Sequence, residues 1–278
     1  MSENEIKALV SLLDDTDEEV LSHVEQEIRN LGDDIIPFLE NHWERNALDS
    51  HMQKKIEDLI HDLQYDNFSS RLIEWKDERQ HDLLEGMWLV ARYQYPDLEF
   101  ETLKMEINQI YFEAWLQLRD EIHPKDAIKI LNNIFFDKYK FAANTKNFHS
   151  PANSLINQVL ETKKGNPISL CVIYLLVAQR LGLPIFGVNL PSLFILTFKS
   201  TQIQFYINVF NKGLIFSRKD IGSYLKQMKI EEEEMFYEPC SNLEIVRRSL
   251  LNLMVSFKKN SETAKVEEIK FVYDKLLS

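Results

Sequence analysis

Residues 166–184 constrain the fold more than any other part of the chain. Asn166 is a good helix cap, and Pro167 fits the first helical position, where its missing N–H costs nothing. From residue 168 to 181 the pattern is apolar nearly all round. A helix without a polar face has to be covered on every side, so the spacing predicts a central buried helix. Gly182 ends it and Pro184 prevents its restart. Three β-prone runs follow, at 185–190, 194–198 and 204–210, and read as an antiparallel meander packed on that helix.

The flanks are helical. Ile6, Leu9, Val10 and Leu13 share one face, and Thr16 with Glu19 reads as a capping box for the next helix. Val20, Val24 and Ile28 recur every four residues, Gly32 sits where a helix-ending glycine belongs, and Pro37 falls in the first turn of the following segment. Residues 69–120 continue in helical periodicity, broken at Tyr95-Pro96-Asp97. A short helix opens at Pro124 and Asp126, and the polar stretch 144–151 reads as a loop. Helix returns after Asp220, with a second capping box at Ser241 and Glu244 and a last helix over 262–277. With seven glycines in 278 residues, tight turns are few and long helices are favoured. The expected class is α+β, mostly helical, with a small sheet in the middle.

The net charge of −12 repels phosphate backbones and anionic membranes. Nucleic acid and membrane are therefore excluded as expected partners, and no run approaches the ~20 apolar residues of a spanning helix. The start of the chain has no secretory pattern, and a reducing cytoplasm is the expected home. Cys171 and Cys240 make no disulfide framework or metal motif, and His42 with Glu40 and Glu44 fits no closed zinc site. No metal or cofactor is expected.

A buried helix followed by a meander is the frame of a thiol acyl-transfer site. Such a site needs a cysteine at the helix start, where the dipole supports the thiolate. It also needs a histidine on a neighbouring strand and a carboxylate or amide to orient it. A turn at Ser200 and Thr201 sets Leu193 opposite Asn208, by symmetry of the numbers about the turn. Leucine neither accepts nor donates a proton, so no general base stands there.

The ordered motifs Asn153-Ser154-Leu155, Gly165-Asn166-Pro167-Ile168-Ser169-Leu170, Arg180-Leu181-Gly182-Leu183, Leu190-Pro191-Ser192-Leu193-Phe194 and Phe205-Tyr206-Ile207-Asn208 through Lys212-Gly213 resemble the SirB-type branch of bacterial transglutaminase-like proteins. Upstream, Glu85-Gly86, Tyr95-Pro96-Asp97-Leu98 and Leu131-Asn132 extend the resemblance, and downstream Ser241-Asn242 and Arg247-Arg248 do so. The resemblance implies histidine where Leu193 stands and aspartate where Asn208 stands. It implies the superfamily cysteine at Pro167, counted back from Gly182. All three triad positions are therefore degenerate.

Cys171, one turn further in, is the alternative nucleophile; its other reading is a small core residue beside Leu175 and Ala178. His149, in the loop before the motif, is the alternative base. Cys240 lies just before a helix start, a context that lowers a thiol pKa, yet it reads as a loop residue without a base. The expected organisation is a HEAT-like helical cap over 1–68, a transglutaminase-like domain over 69–230 with its core at 151–216, and a TPR-like hairpin over 231–278. The expected function is non-catalytic binding of a protein or peptide in a cleft of Asn166, Pro167, Ser169, Ser192, Leu193 and Asn208. A thiol acyl-transferase or peptidase with a rearranged site at Cys171 is the alternative.

Overall fold

A computed structural model describes residues 1–15, 17–118 and 122–277. The chain divides into two compact units, Met1–Arg71 and Leu72–Ser278. The first unit is helical, with α1 (Glu3–Ser11), α2 (Glu18–Leu31), α3 (Ile36–Arg45) and α4 (Ser50–Glu74), the last of which runs on past the boundary. Leu13, Ile28, Ile35, Leu39 and Ile56 form its buried centre. Asp17 caps α2, its side chain accepting the Glu19 N–H at 2.9 Å; Thr16, expected in that role, lies outside the described residues. Gly32 closes α2 at φ +64°, and Pro37 sits in the first turn of α3.

In the second unit the helices are α5 (Leu83–Arg92), α6 (Phe100–Trp115), α7 (Pro124–Asn132), α8 (Ile156–Thr162), α9 (Pro167–Arg180), α10 (Arg218–Gln227), α11 (Asn242–Lys259) and α12 (Thr263–Lys275). β1 (Ala142–Ala143) and β2 (Lys164–Gly165) form a short parallel pair. β3 (Ile185–Leu190), β4 (Leu193–Lys199), β5 (Gln204–Asn208) and β6 (Leu214–Phe216) form an antiparallel sheet in sequence order. The meander of three strands is present, and a fourth is added at 214–216. The expected mostly helical α+β class is the class observed. Among the described residues no helix is long and apolar enough to cross a membrane.

The all-apolar helix is indeed the centre. Ten of the fourteen residues of α9 are buried, including Leu170, Cys171, Val172 and Ile173 at zero exposure. It is covered by α6, α8, α11 and strands β3 and β4. The opposite face of the sheet carries its own apolar cluster, where Val188, Leu190, Ile195 and Tyr206 meet Ile221 and Leu225 of α10.

Several sequence motifs are locks that hold α9 and its cover. Gly86 gives room for Trp75: a Cβ there would stand 2.6 Å from the indole ring and 2.8 Å from Val246. Trp75 donates its indole N–H to the Asp82 carbonyl at 2.8 Å. The break at 95–98 is pinned by Trp88 and Arg92, which donate to the Leu98 and Pro96 carbonyls, both at 2.7 Å. Asn132, at the end of α7, donates to the Gly213 carbonyl at 3.1 Å and accepts the Tyr174 hydroxyl of α9 at 3.0 Å. Gly213 combines φ +69° with Asn132 packed against the place a Cβ would take. Gly182 has φ +74° but open space around it. Replacing Gly213 with alanine should therefore cost about 2–4 kcal/mol, the left-handed penalty plus overpacking. Gly182→Ala, which meets the conformational penalty alone, should cost about 1–2 kcal/mol. Urea unfolding of both variants checks the difference.

Candidate functional site

The start of α9 is closed by a hydrogen-bonded cluster of buried polar side chains. Asn166 caps the helix, its Oδ1 accepting the Ser169 N–H at 2.9 Å, while Ser169 Oγ accepts the Asn166 N–H at 3.1 Å. Asn166 Nδ2 donates to Ser154 Oγ at 2.9 Å. Asn153 holds the preceding loop, donating to the carbonyls of Asn147 (2.7 Å) and Phe148 (3.0 Å) and accepting from Asn144 Nδ2 at 2.8 Å. All four of Asn153, Ser154, Asn166 and Ser169 are at most 6% exposed. Gly165 is small because a Cβ there would meet Ser169 Oγ at 2.5 Å. The motifs 153–155 and 165–170 thus form one cap, with Pro167 as the first helical residue.

A cavity of about 120 Å³ opens beside this cap, lined by Asn166, Pro167 and Ile168 of the helix start, Phe148 and His149 of the loop, Ser192 and Phe194 before and in β4, and Arg248, Asn252, Val255 and Ser256 of α11. Of the residues expected in a cleft, Asn166, Pro167 and Ser192 line it. Ser192 does so in the left-handed region, at φ +59°, which a non-glycine residue adopts only under constraint. Ser169 is taken into the cap instead, and Leu193 and Asn208 are elsewhere.

The expected opposition of Leu193 and Asn208 is corrected by the register. The pairs Leu196 with Ile207, Thr197 with Tyr206 and Lys199 with Gln204 centre the turn about one residue later than a tight turn at Ser200 and Thr201 would. The turn holds four residues, closed by the Ser200 N–H to the Ile203 carbonyl at 2.9 Å. Leu193 pairs with Leu190 of β3 instead. By strand alternation Leu193 and Asn208 share the face that carries Ile195 and Tyr206, and Leu193 packs into the cluster on the α10 side. Asn208 accepts the Asn211 N–H at 3.0 Å.

Cys171 is sealed at zero exposure, its thiol directed to the Phe194 carbonyl at 3.6 Å. Burial pushes its pKa far up, with a smaller opposing contribution from the Val209 backbone. His149 is exposed at the cavity mouth, edge-on to Phe148 at 5.3 Å; the cavity that it lines does not include Cys171. Cys240 packs near Gly187, its N–H donating to the Gly187 carbonyl at 2.8 Å. The helix start after it does not activate its thiol: burial, then the Glu244 carboxylate, push it up to about 12. His42 contacts Asp14 and Asn46, each at 3.2 Å, and among the described residues no group of three His, Cys, Asp or Glu is placed to hold a metal. Arg248 and Asn252 of the cavity were not singled out from sequence as site residues; the pair Arg247-Arg248 within the motif series was the available signal.

A family model described as the transglutaminase-like superfamily matches residues 101–251, just over half of the chain. A UPF0162 protein of Xylella fastidiosa (strain Temecula1 / ATCC 700964) is 34% identical over 141 residues, covering 49% of this chain and 49% of the relative. One from Vibrio cholerae is 28% identical over 145 residues, covering 52% and 53%. F-box only protein 21 of Mus musculus is 29% identical over 160 residues, covering 47% of this chain and 26% of that protein. The chain spans about half the length of the first of these relatives. No solved structure matches the chain significantly.

The raised thiol pKa of Cys240 has a stability consequence. Below about pH 8.5 both folded and unfolded chains keep the proton. Above it the unfolded chain loses the proton first, so stability falls as pH rises toward the folded value near 12. Between pH 8 and pH 10.5, Cys240→Ser should lose about 2 kcal/mol less stability than the parent. Urea unfolding at the two pH values checks it.

Proposed function

The chain belongs to the transglutaminase-like superfamily, and from that premise we propose that it is a non-catalytic member of the SirB-type branch that binds a protein or peptide at the start of α9. The observation that carries this is the filled helix start. Where a thiol enzyme of this layout places its nucleophile, this chain has Pro167 inside a cap whose polar groups bond to one another. Leu193 stands where the resemblance implies histidine, on the α10 side of the sheet. The thiol alternative needs an exposed Cys171 sulfur within hydrogen-bond reach of an imidazole; a sulfur with zero exposure and a strongly raised pKa argues against it.

What favours binding is the neighbouring cavity, with exposed Phe148 and Val255 beside polar Asn252 and Arg248. Apolar walls beside a few polar groups suit a side chain and backbone of a peptide segment. In this reading residues 1–68 form a HEAT-like cap and 231–278 a TPR-like hairpin that add partner surface. Its two free thiols fit a reducing cytoplasm.

Purified full chain incubated with a glutamine-donor peptide and a primary amine, and separately with unstructured peptides, should give no transamidation or cleavage above the buffer blank by mass spectrometry. Turnover that disappears in Cys171→Ala would overturn the reading in favour of a thiol enzyme.

A further inference from the structure

Among the described residues Arg248 is the one Arg or Lys in the cavity lining. It is half-buried on α11 and lines the cavity. The carboxylate one turn back, Glu244, is held by the Ser241 N–H at 2.7 Å and the Ser241 hydroxyl at 2.9 Å. Among the described residues no carboxylate lies within ion-pair distance of Arg248. Its ionisable neighbours are the phenols of Tyr224 and Tyr273, and its hydrogen bond is a long one, 3.5 Å to Asn189 Oδ1. A guanidinium partly withdrawn from water is stabilised by an anion beside it. In a chain with 44 acidic residues a carboxylate is easily supplied, so its absence here leaves a place for an anion from outside.

The cavity limits what that anion is attached to. At about 120 Å³ it is well below the roughly 300–1,000 Å³ of sites for small molecules and cofactors. Phe148, Ile168, Phe194 and Val255 give it apolar walls. Phosphate recognition uses clusters of cations, and Arg248 has no second Arg or Lys beside it in the lining. A carboxylate and a short apolar side chain on one carbon match these walls, which is the chemistry of a peptide's last residue. Asn166 and Ser169 satisfy each other's N–H groups in the cap of α9, and Arg248 supplies the full positive charge of the lining.

We propose that the cavity binds the C-terminal carboxylate of a peptide or protein that ends in an apolar residue, with Arg248 as its ion partner. This rests on the peptide-binding reading above and adds the chemistry of the partner.

The test titrates acetyl-Gly-Gly-Val with a free C-terminus, and its C-terminal amide, into the full chain by calorimetry. The free acid should bind at least about tenfold more tightly than the amide, as expected for a hydrogen-bonded charge pair. Arg248→Gln should abolish the difference and Arg248→Lys should keep part of it. Thermal melts of both variants establish that they fold; the acid-to-amide comparison on the unaltered chain stands whether or not they do. Equal binding of acid and amide, no binding of either, competition by acetate as strong as by the peptide, or full discrimination by a folded Arg248→Gln variant overturns the proposal. Failure of the non-catalytic reading looks different: the recovered peptide would be cleaved or modified.

Discussion

A helix without a polar face imposes its burial on everything around it. α9 is such a helix, and in water it exists only when α6, α8, α11 and the sheet cover it. Its ends remain the difficulty, because backbone N–H groups at a buried start need partners. Pro167 removes one donor, and Asn166 and Ser169 satisfy each other's N–H groups. Ser154 and Asn153 then tie the cap to the loop before it. The polar side chains at this helix end are bonded to one another and to the loop.

The closed start shapes the rest of the site. With the cap sealed, Cys171 is one turn inside and belongs to the core, against the Phe194 backbone. A void left in such a core is expensive, so a cysteine there packs as a small apolar residue. The cavity survives beside the cap rather than over the thiol, between the helix start, the loop at 148–149 and α11. Ser192 is held in a left-handed conformation at its edge, and α11 contributes Arg248. The two glycines at 86 and 213 keep this arrangement tight from further away, by admitting Trp75 and Asn132.

Local chemistry made much of this legible in the sequence. Asn166, Pro167, Gly182 and the Ser241–Glu244 box mark helix ends through the groups that satisfy the backbone, and such signals need no tertiary information. The three longer strands were readable from their β-prone runs. β6 was not, since three residues after Gly213 form a strand only by pairing with β5. Register escaped for a similar reason: residues 200–203 make a longer turn than Ser200 and Thr201 suggest, and the pairing shifts with it. Nor does periodicity say which sheet face meets α9, so the place of Leu193 on the α10 side was not legible. Arg248 was not legible as a site residue because the cavity it lines forms only where α11 packs beside the start of α9.

The sealing of Cys171 behind the α9 cap is the point on which the account turns, and the native-state labelling rate of that thiol measures it directly. With an excess of a cysteine-reactive probe near neutral pH, Cys171 should react only as fast as the molecule opens, and its rate should rise with urea in step with unfolding. Rapid, selective labelling of Cys171 in the folded protein, insensitive to low urea, would contradict the account and return the site to thiol chemistry.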